Sequence, residues 1–368
     1  MPLWIDGHLD LAWNALYFDR DLTQSIERIN ARERGMTDNA GRGNATVALP
    51  EMRRGRLALC LATLLAHSRP DLMPTQGHRR PSLDYCSPTA ACAIAQGQLA
   101  YYRLLEQSGE MAMIVSAQDF IAHWDRCSSQ SNLLATGTTP IGVIVAMEGA
   151  DGIITPEQAR DWFDWGLRVA SPVHYGHNQY AFGTGEAGRL TEAGVELLRE
   201  FRRVGIILDT THLSDEGFFH ALDVFDGPVI ASHQNCRALV PGGRQFSDEQ
   251  LRLLIGRQAV IGTAFDNWML VPHWKTGDTP RVEASLEQLA NHVDHICQLS
   301  GSHENVAIGT DLDGGYGAEQ CPIEIDSIAD VQKLADVLAR RGYSAQAIND
   351  VFHDNWRRFF SQHLPVAT

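Results

Sequence analysis

The chain has 368 residues, longer than the roughly 100–200 of a usual single domain but within the range of alternating strand–helix barrels. Hydrophobic residues make up 44% and charged residues 20%, which supplies a large core and excludes wholesale disorder. A formal net charge of −15 argues against a nucleic-acid surface, which needs basic patches to displace counterions.

Short apolar runs alternate with longer helical patterns. Strands are expected over 3–9, 57–65, 111–116, 141–147, 169–173, 205–210, 228–232, 259–264 and 306–310. Most are continuously apolar, as in parallel sheets covered on both faces. Helices are expected over 89–107, 155–167, 191–204, 215–225, 247–257 and 282–299, with Thr191 and Ser247 as capping residues. The polar stretches 19–49 and 67–88 read as long loops. Recurring strand-then-helix units predict an α/β fold, a (β/α)₈ barrel forming one domain over 1–368, with one strand candidate more than a barrel needs. No G-x-G-x-x-G follows the first strand, which lowers the dinucleotide-binding alternative.

Seven scattered cysteines without a C-x-x-C pair indicate reduced thiols, neither a disulfide framework nor a zinc ribbon. The first residues lack the pattern of a signal peptide, and no apolar run reaches the roughly 20 residues of a membrane span. A cytoplasmic protein is expected.

Five expected strands end in a His, Asp or Glu that interrupts apolar sequence: His8 and Asp10, Glu148, His212, His233, and Asp311 with Asp313. In a parallel barrel all strand C-termini open on one face, so these side chains should converge. A lone His at a strand end is more often structural, and a buried carboxylate needs a partner. Five such ends in register point to a metal site. Imidazole and carboxylate donors without sulfur suit zinc, and the two oxygens of Glu148 could serve two ions. His174, following the fifth expected strand, should face the same mouth, whereas the other histidines, His67 among them, read as solvated or structural.

The segments Asp6-Gly7-His8-Leu9-Asp10, Thr46–Pro50 with Arg54-Gly55, Met147-Glu148-Gly149, Asp209–Ser214, Ser232-His233 and Ile308–Gly314 together resemble the membrane (renal) dipeptidase family of the amidohydrolase superfamily, over nearly the whole chain. The resemblance implies a zinc-dependent dipeptidase with two Zn²⁺ per chain. Its ligands would be His8, Asp10, Glu148, His212 and His233, with Glu148 bridging. It implies further that His174 contacts the substrate carbonyl, that Arg244, eleven residues past His233, binds the substrate's C-terminal carboxylate, and that Asp311 handles the proton. Dipeptides with a C-terminal D-residue would be accepted, and related proteins suggest a homodimer. This chain has Tyr175-Gly176-His177 before Asn178, one residue more than well-known members, which leaves His177 open as a stand-in for His174. Gln245 follows Arg244 where Asn is usual, and Arg237 competes as the carboxylate binder. An amidohydrolase acting on a lactam or N-acyl amino acid is the alternative, and a non-catalytic metal-binding barrel a more distant one. Many lactam-type enzymes bridge their metals with a carboxylated lysine. The only lysines here, Lys275 and Lys333, lie at no strand end, which favours the glutamate-bridged kind.

Overall fold

Each of the nine expected strands forms. In the computed structural model, which describes residues 2–69, 83–129 and 139–367, they are β1 (Trp4–Leu9), β2 (Leu57–Leu64), β3 (Met111–Met113), β4 (Ile141–Glu148), β5 (Leu167–Ser171), β6 (Ile207–Asp209), β7 (Val229–Ile230), β8 (Ile261–Thr263) and β9 (Val306–Ile308). Neighbours pair in parallel in the order β1-β2-β4-β5-β6-β7. A bridge from Ala231 to Ile261 leads on to the parallel pair β8-β9. Side chains close the ring: Asp6 accepts hydrogen bonds from the Thr310 amide (2.8 Å) and hydroxyl (2.6 Å). The surplus strand is β3, which borders β4 only from Ile141 to Val143, whereas β5 begins its pairing at Val145.

Alternation along the strands sorts side chains into two layers. Ile5, Leu61, Ile144, Val169, Ile207, Ile230 and Ala307 fill the barrel, sealed at its N-terminal end by Phe120 and Trp124 of the helix Ala117–Ser129 and by Trp356 and Phe360 of the C-terminal region. Trp4, Cys60, Val143, Leu208, Val229 and Ile308 face outward beneath the surrounding helices. In β1 the register shifts between Asp6 and Leu9. That irregularity switches the inward parity from Ile5 to His8 and Asp10, so the first strand is apolar inside at its base and polar inside at its mouth.

The interior narrows above the apolar layer. A Cβ placed on Gly309, Gly262 or Gly7 would lie 1.8, 2.0 or 2.5 Å from the carbonyl oxygen of Ser232. Only glycine permits so close an approach of backbones.

Capping residues set the helix starts as expected. Thr191 accepts from the Gly194 amide before Glu192–Val204, and Ser247 forms a capping box with Gln250 before Asp248–Gly256. Two boundaries differ from expectation. The helix expected over 155–167 ends at Asp164, because Leu167 joins β5, and that expected over 282–299 starts at Leu286, after a 3₁₀ turn at Arg281–Glu283. The stretch 19–49 carries the helix Ile26–Arg32, which its weak periodicity hid. It is tied to the barrel mouth by Asp313, whose carboxylate accepts from the Thr46 amide (2.9 Å) and hydroxyl (2.6 Å) and the Val47 amide (3.1 Å). Of the stretch 67–88, His67–Ser68 pairs in parallel with Asp84–Tyr85, and 70–82 lie outside the described residues. Among the described residues no helix is long and apolar enough to cross a membrane. All seven cysteines are free.

Candidate active site

The polar strand ends converge at the carboxyl mouth. Glu148, the last residue of β4, is buried beneath it and divides its two oxygens between two groups. Oε2 faces His8 Nε2 at 3.5 Å, while Oε1 faces His212 Nε2 at 2.9 Å and His233 Nε2 at 3.3 Å. Asp10 Oδ2 stands 3.8 Å from His8 Nε2, and Asp311 Oδ1 stands 3.8 Å away from the same atom. His8, Asp10 and Glu148 form one cluster of donors able to surround a cation, Glu148, His212 and His233 a second, and His8, His233 and Asp311 a third.

Several observations fit these donors to metal. His8 Nε2 is buried and has no hydrogen-bond partner, a costly state for a polar atom unless a cation completes it. Two donors on a tetrahedral ion with bonds of 2.0–2.1 Å stand about 3.3 Å apart, close to the 3.5, 3.3 and 3.2 Å separations of His8 from Glu148, His233 from Glu148 and His212 from His233. The remaining ring nitrogens are held from behind: Thr184 Oγ1 lies 3.0 Å from His212 Nδ1, and Ser232 Oγ lies 2.9 Å from His233 Nδ1. Each hydroxyl can accept a proton from Nδ1, which leaves Nε2 bare on the pocket side. Thr63 donates to Asp10 Oδ1.

Electrostatics agree. Burial, helped by the charge of Arg244 and by neighbouring imidazoles, holds His212 and His233 far below the ordinary histidine range, in the neutral form a cation needs. Burial also raises Glu148 and, more strongly, Asp311 above the usual carboxylate range. His8 differs: burial opposes its proton, but Glu148 and Asp10 outweigh burial and raise it. A carboxylate pair this deep requires positive charge, as proton or cation. His212 (φ 71°) and Asp311 (φ 59°) adopt left-handed backbone, which costs roughly 1–3 kcal/mol each and gathers at functional sites.

The remaining expected residues separate clearly. His174 joins the cluster, its Nε2 3.6 Å from Glu148 Oε1 and its ring against that of His212. His177 does not: its side chain is 63% exposed and turned to Glu186 and Phe182. Arg244 is buried beside the cluster, donating to the His233 carbonyl (2.9 Å) and to Gln234 Oε1 (2.5 Å). Arg237 lies outside, with both terminal nitrogens on the Asp215 carboxylate at 2.6 and 2.7 Å. Lys333 donates to the Glu324 carbonyl and pairs with Asp330, away from the cluster. Three nearby residues escaped the sequence reading. Asp266, raised to about 7 by burial, follows the run Ile261–Phe265 and carries the same acid-after-strand signal as the others. His67, just past β2, bonds His174. Thr184 gives no signal in the sequence.

Buried imidazoles facing buried carboxylates at the carboxyl mouth of a parallel barrel make a site able to hold divalent metal. The chain belongs to the membrane dipeptidase family, peptidase family M19, whose model matches residues 2–367. The family is one of dipeptidases. Among relatives, a Claviceps purpurea protein named dipeptidase tcpJ is 29% identical over 237 residues, 61% of this chain and 52% of that protein. An uncharacterised Klebsiella pneumoniae protein from the pqqA 5′ region is 26% identical over 277 residues, 71% of this chain and 93% of its own. The chain thus spans only about half the length of the fungal dipeptidase it matches. Among solved structures, a family M19 dipeptidase superposes with TM-score 0.75 at 22% identity, covering 98% of both chains. A Rhodobacter sphaeroides metallopeptidase, liganded with a phosphinate mimic of L-Ala-D-Ala, superposes with TM-score 0.73 at 21% identity over 98% of this chain and 99% of its own.

Proposed function

We propose that the protein is a binuclear zinc dipeptidase that hydrolyses the amide bond of dipeptides, including those with a D-residue at the C-terminus. The observation that carries this reading is the division of Glu148: one oxygen toward His8, the other toward His212 and His233. His8 and Asp10 would hold one ion, His212 and His233 the other, and Glu148 both. A zinc pair supplies Lewis acidity, polarising the scissile carbonyl and bringing the pKa of water towards about 7.

The chain's own groups do the rest. Asp311, at the edge of the cluster with a raised proton affinity, takes the proton of the attacking water and returns it to the leaving amine. His174 Nε2 donates to the carbonyl oxygen as negative charge develops there. Arg244 holds the substrate's C-terminal carboxylate with its planar fork. Two of its five N–H groups are committed to His233 and Gln234, which fixes the fork and leaves three for a carboxylate among the described residues. A clamp so near the ligands favours dipeptides over longer chains. The dipeptide mimic on the Rhodobacter sphaeroides neighbour supports the inclusion of D-residues.

A panel of L-X–L-Y and L-X–D-Y dipeptides, N-acyl amino acids and lactams, assayed with zinc-loaded protein, tests the reading. Cleavage concentrated on dipeptides is expected. Turnover of N-acyl amino acids or lactams alone would replace the dipeptidase with another amidohydrolase activity. Arg244→Ala should raise KM for free dipeptides about ten- to hundredfold, the range of a charge-assisted bond, while C-terminally amidated analogues change little. Equal losses on both would remove Arg244 from the clamp role.

A further inference from the structure

We propose that His67 and Asp84 form a positioning pair that fixes the proton of His174 on Nε2, the nitrogen turned toward the pocket; this rests on the reading of His174 as donor to the carbonyl oxygen. His67 is buried just past β2, its Nε2 2.8 Å from His174 Nδ1 and its Nδ1 3.1 Å from Asp84 Oδ1. Asp84, His67, His174 and Glu148 therefore lie in one line from the molecular edge to the cluster.

The chemistry of that line selects one arrangement. A single proton lies between His67 Nε2 and His174 Nδ1. If His174 supplied it, the bare His174 Nε2 would face Glu148 Oε1 at 3.6 Å, lone pair toward carboxylate. If His67 supplies it, His174 Nδ1 accepts and its Nε2 carries the hydrogen into the pocket. His67 Nδ1 in turn faces the Asp84 carboxylate, a pure acceptor, so the pair orients the ring with Nε2 toward His174. The hydrogen bond from His67 holds Asp84 below its ordinary pKa and so keeps it charged.

The surroundings hold the pair in place. The His67 amide donates to the Leu83 carbonyl at 2.8 Å, and the Arg69 amide to the Tyr85 carbonyl at 2.7 Å. The Ser68 amide donates to Asp151 at 2.7 Å. Arg69 reaches across to the carbonyls of Tyr175 and His177, so the segment carrying His67 is bonded to the segment carrying His174.

Nitrogen-15 NMR of the histidine rings in the zinc-loaded protein tests this without reference to turnover. The expected result is His174 with Nδ1 bare and Nε2 protonated in the wild type, and a mixture of tautomers in His67→Leu. A proton on His174 Nδ1 in the wild type overturns the proposal. In kinetics, His67→Leu should lower kcat roughly ten- to hundredfold, the range of lost outer partners of site histidines, with KM and zinc content near wild type. His67→Gln, whose amide can still donate to Nδ1, should recover most of the loss. Unchanged kcat in His67→Leu, or His67→Gln as poor as His67→Leu, overturns it. A wild type that cleaves no dipeptide would end the functional reading, while the NMR result decides the tautomer by itself.

Discussion

Replacing Asp311 by Asn is expected to leave the metal content of the protein unchanged while kcat falls by about 10²–10⁴-fold, the contribution of a positioned proton carrier. Asn keeps the size of the side chain and tolerates the left-handed backbone that Asp311 adopts, so the fold is undisturbed. What it loses is the capacity to accept a proton at the carboxylate that burial has made basic. Elemental analysis beside steady-state kinetics checks the result. The rival outcome has a structural basis, since His8, His233 and Asp311 also form a cluster able to surround a cation. Parallel loss of metal and turnover would make Asp311 a ligand and leave the proton to another group.

Two residues further on, Asp313→Ala should strike stability. Asp313 is buried, accepts from Thr46 and Val47, and lies 3.5 Å from Arg20, which also pairs with Glu33 at 2.8 Å. Removing one member of a buried ionic network leaves its partners desolvated, at about 3–5 kcal/mol. For a chain of this size the melting temperature should drop on the order of 10 °C. Thermal and urea unfolding measure it, and limited proteolysis should find 19–49 cut first, because Asp313 ties that stretch to the mouth. A loss below about 1 kcal/mol would place the network with exposed ion pairs, which contribute little.

Much of this was legible in the sequence because parallel strands buried on both faces are unbroken apolar runs, and a polar residue ending one stands out. Even β3 was found, though as a strand it lies beside the ring, and composition cannot tell a stave from a neighbour. His8 and Asp10 were paired by simple alternation, while the shift that turns both inward against Ile5 depends on how β1 meets β2. The helix Ile26–Arg32 stayed hidden because it buries only Ile29 and shows little periodicity. The loop-like sequence around His67 gives it no distinction, although it lies just past β2. Arg244 and Arg237 looked alike in sequence. Only folding shows that Asp215 already occupies Arg237. Thr184 reaches His212 across 28 positions, a relation no local pattern encodes.

The three glycines around the Ser232 carbonyl bear on how such an enzyme can diversify. Beneath the cluster the barrel is filled by peptide units instead of exchangeable side chains, so that level offers natural or laboratory variation almost nothing to alter. An alanine at Gly309 would have to push Ser232, and with it the adjoining His233, out of place. Room to alter substrate preference therefore lies at the rim, in stretches such as 19–49 and 172–188, and not in the platform below.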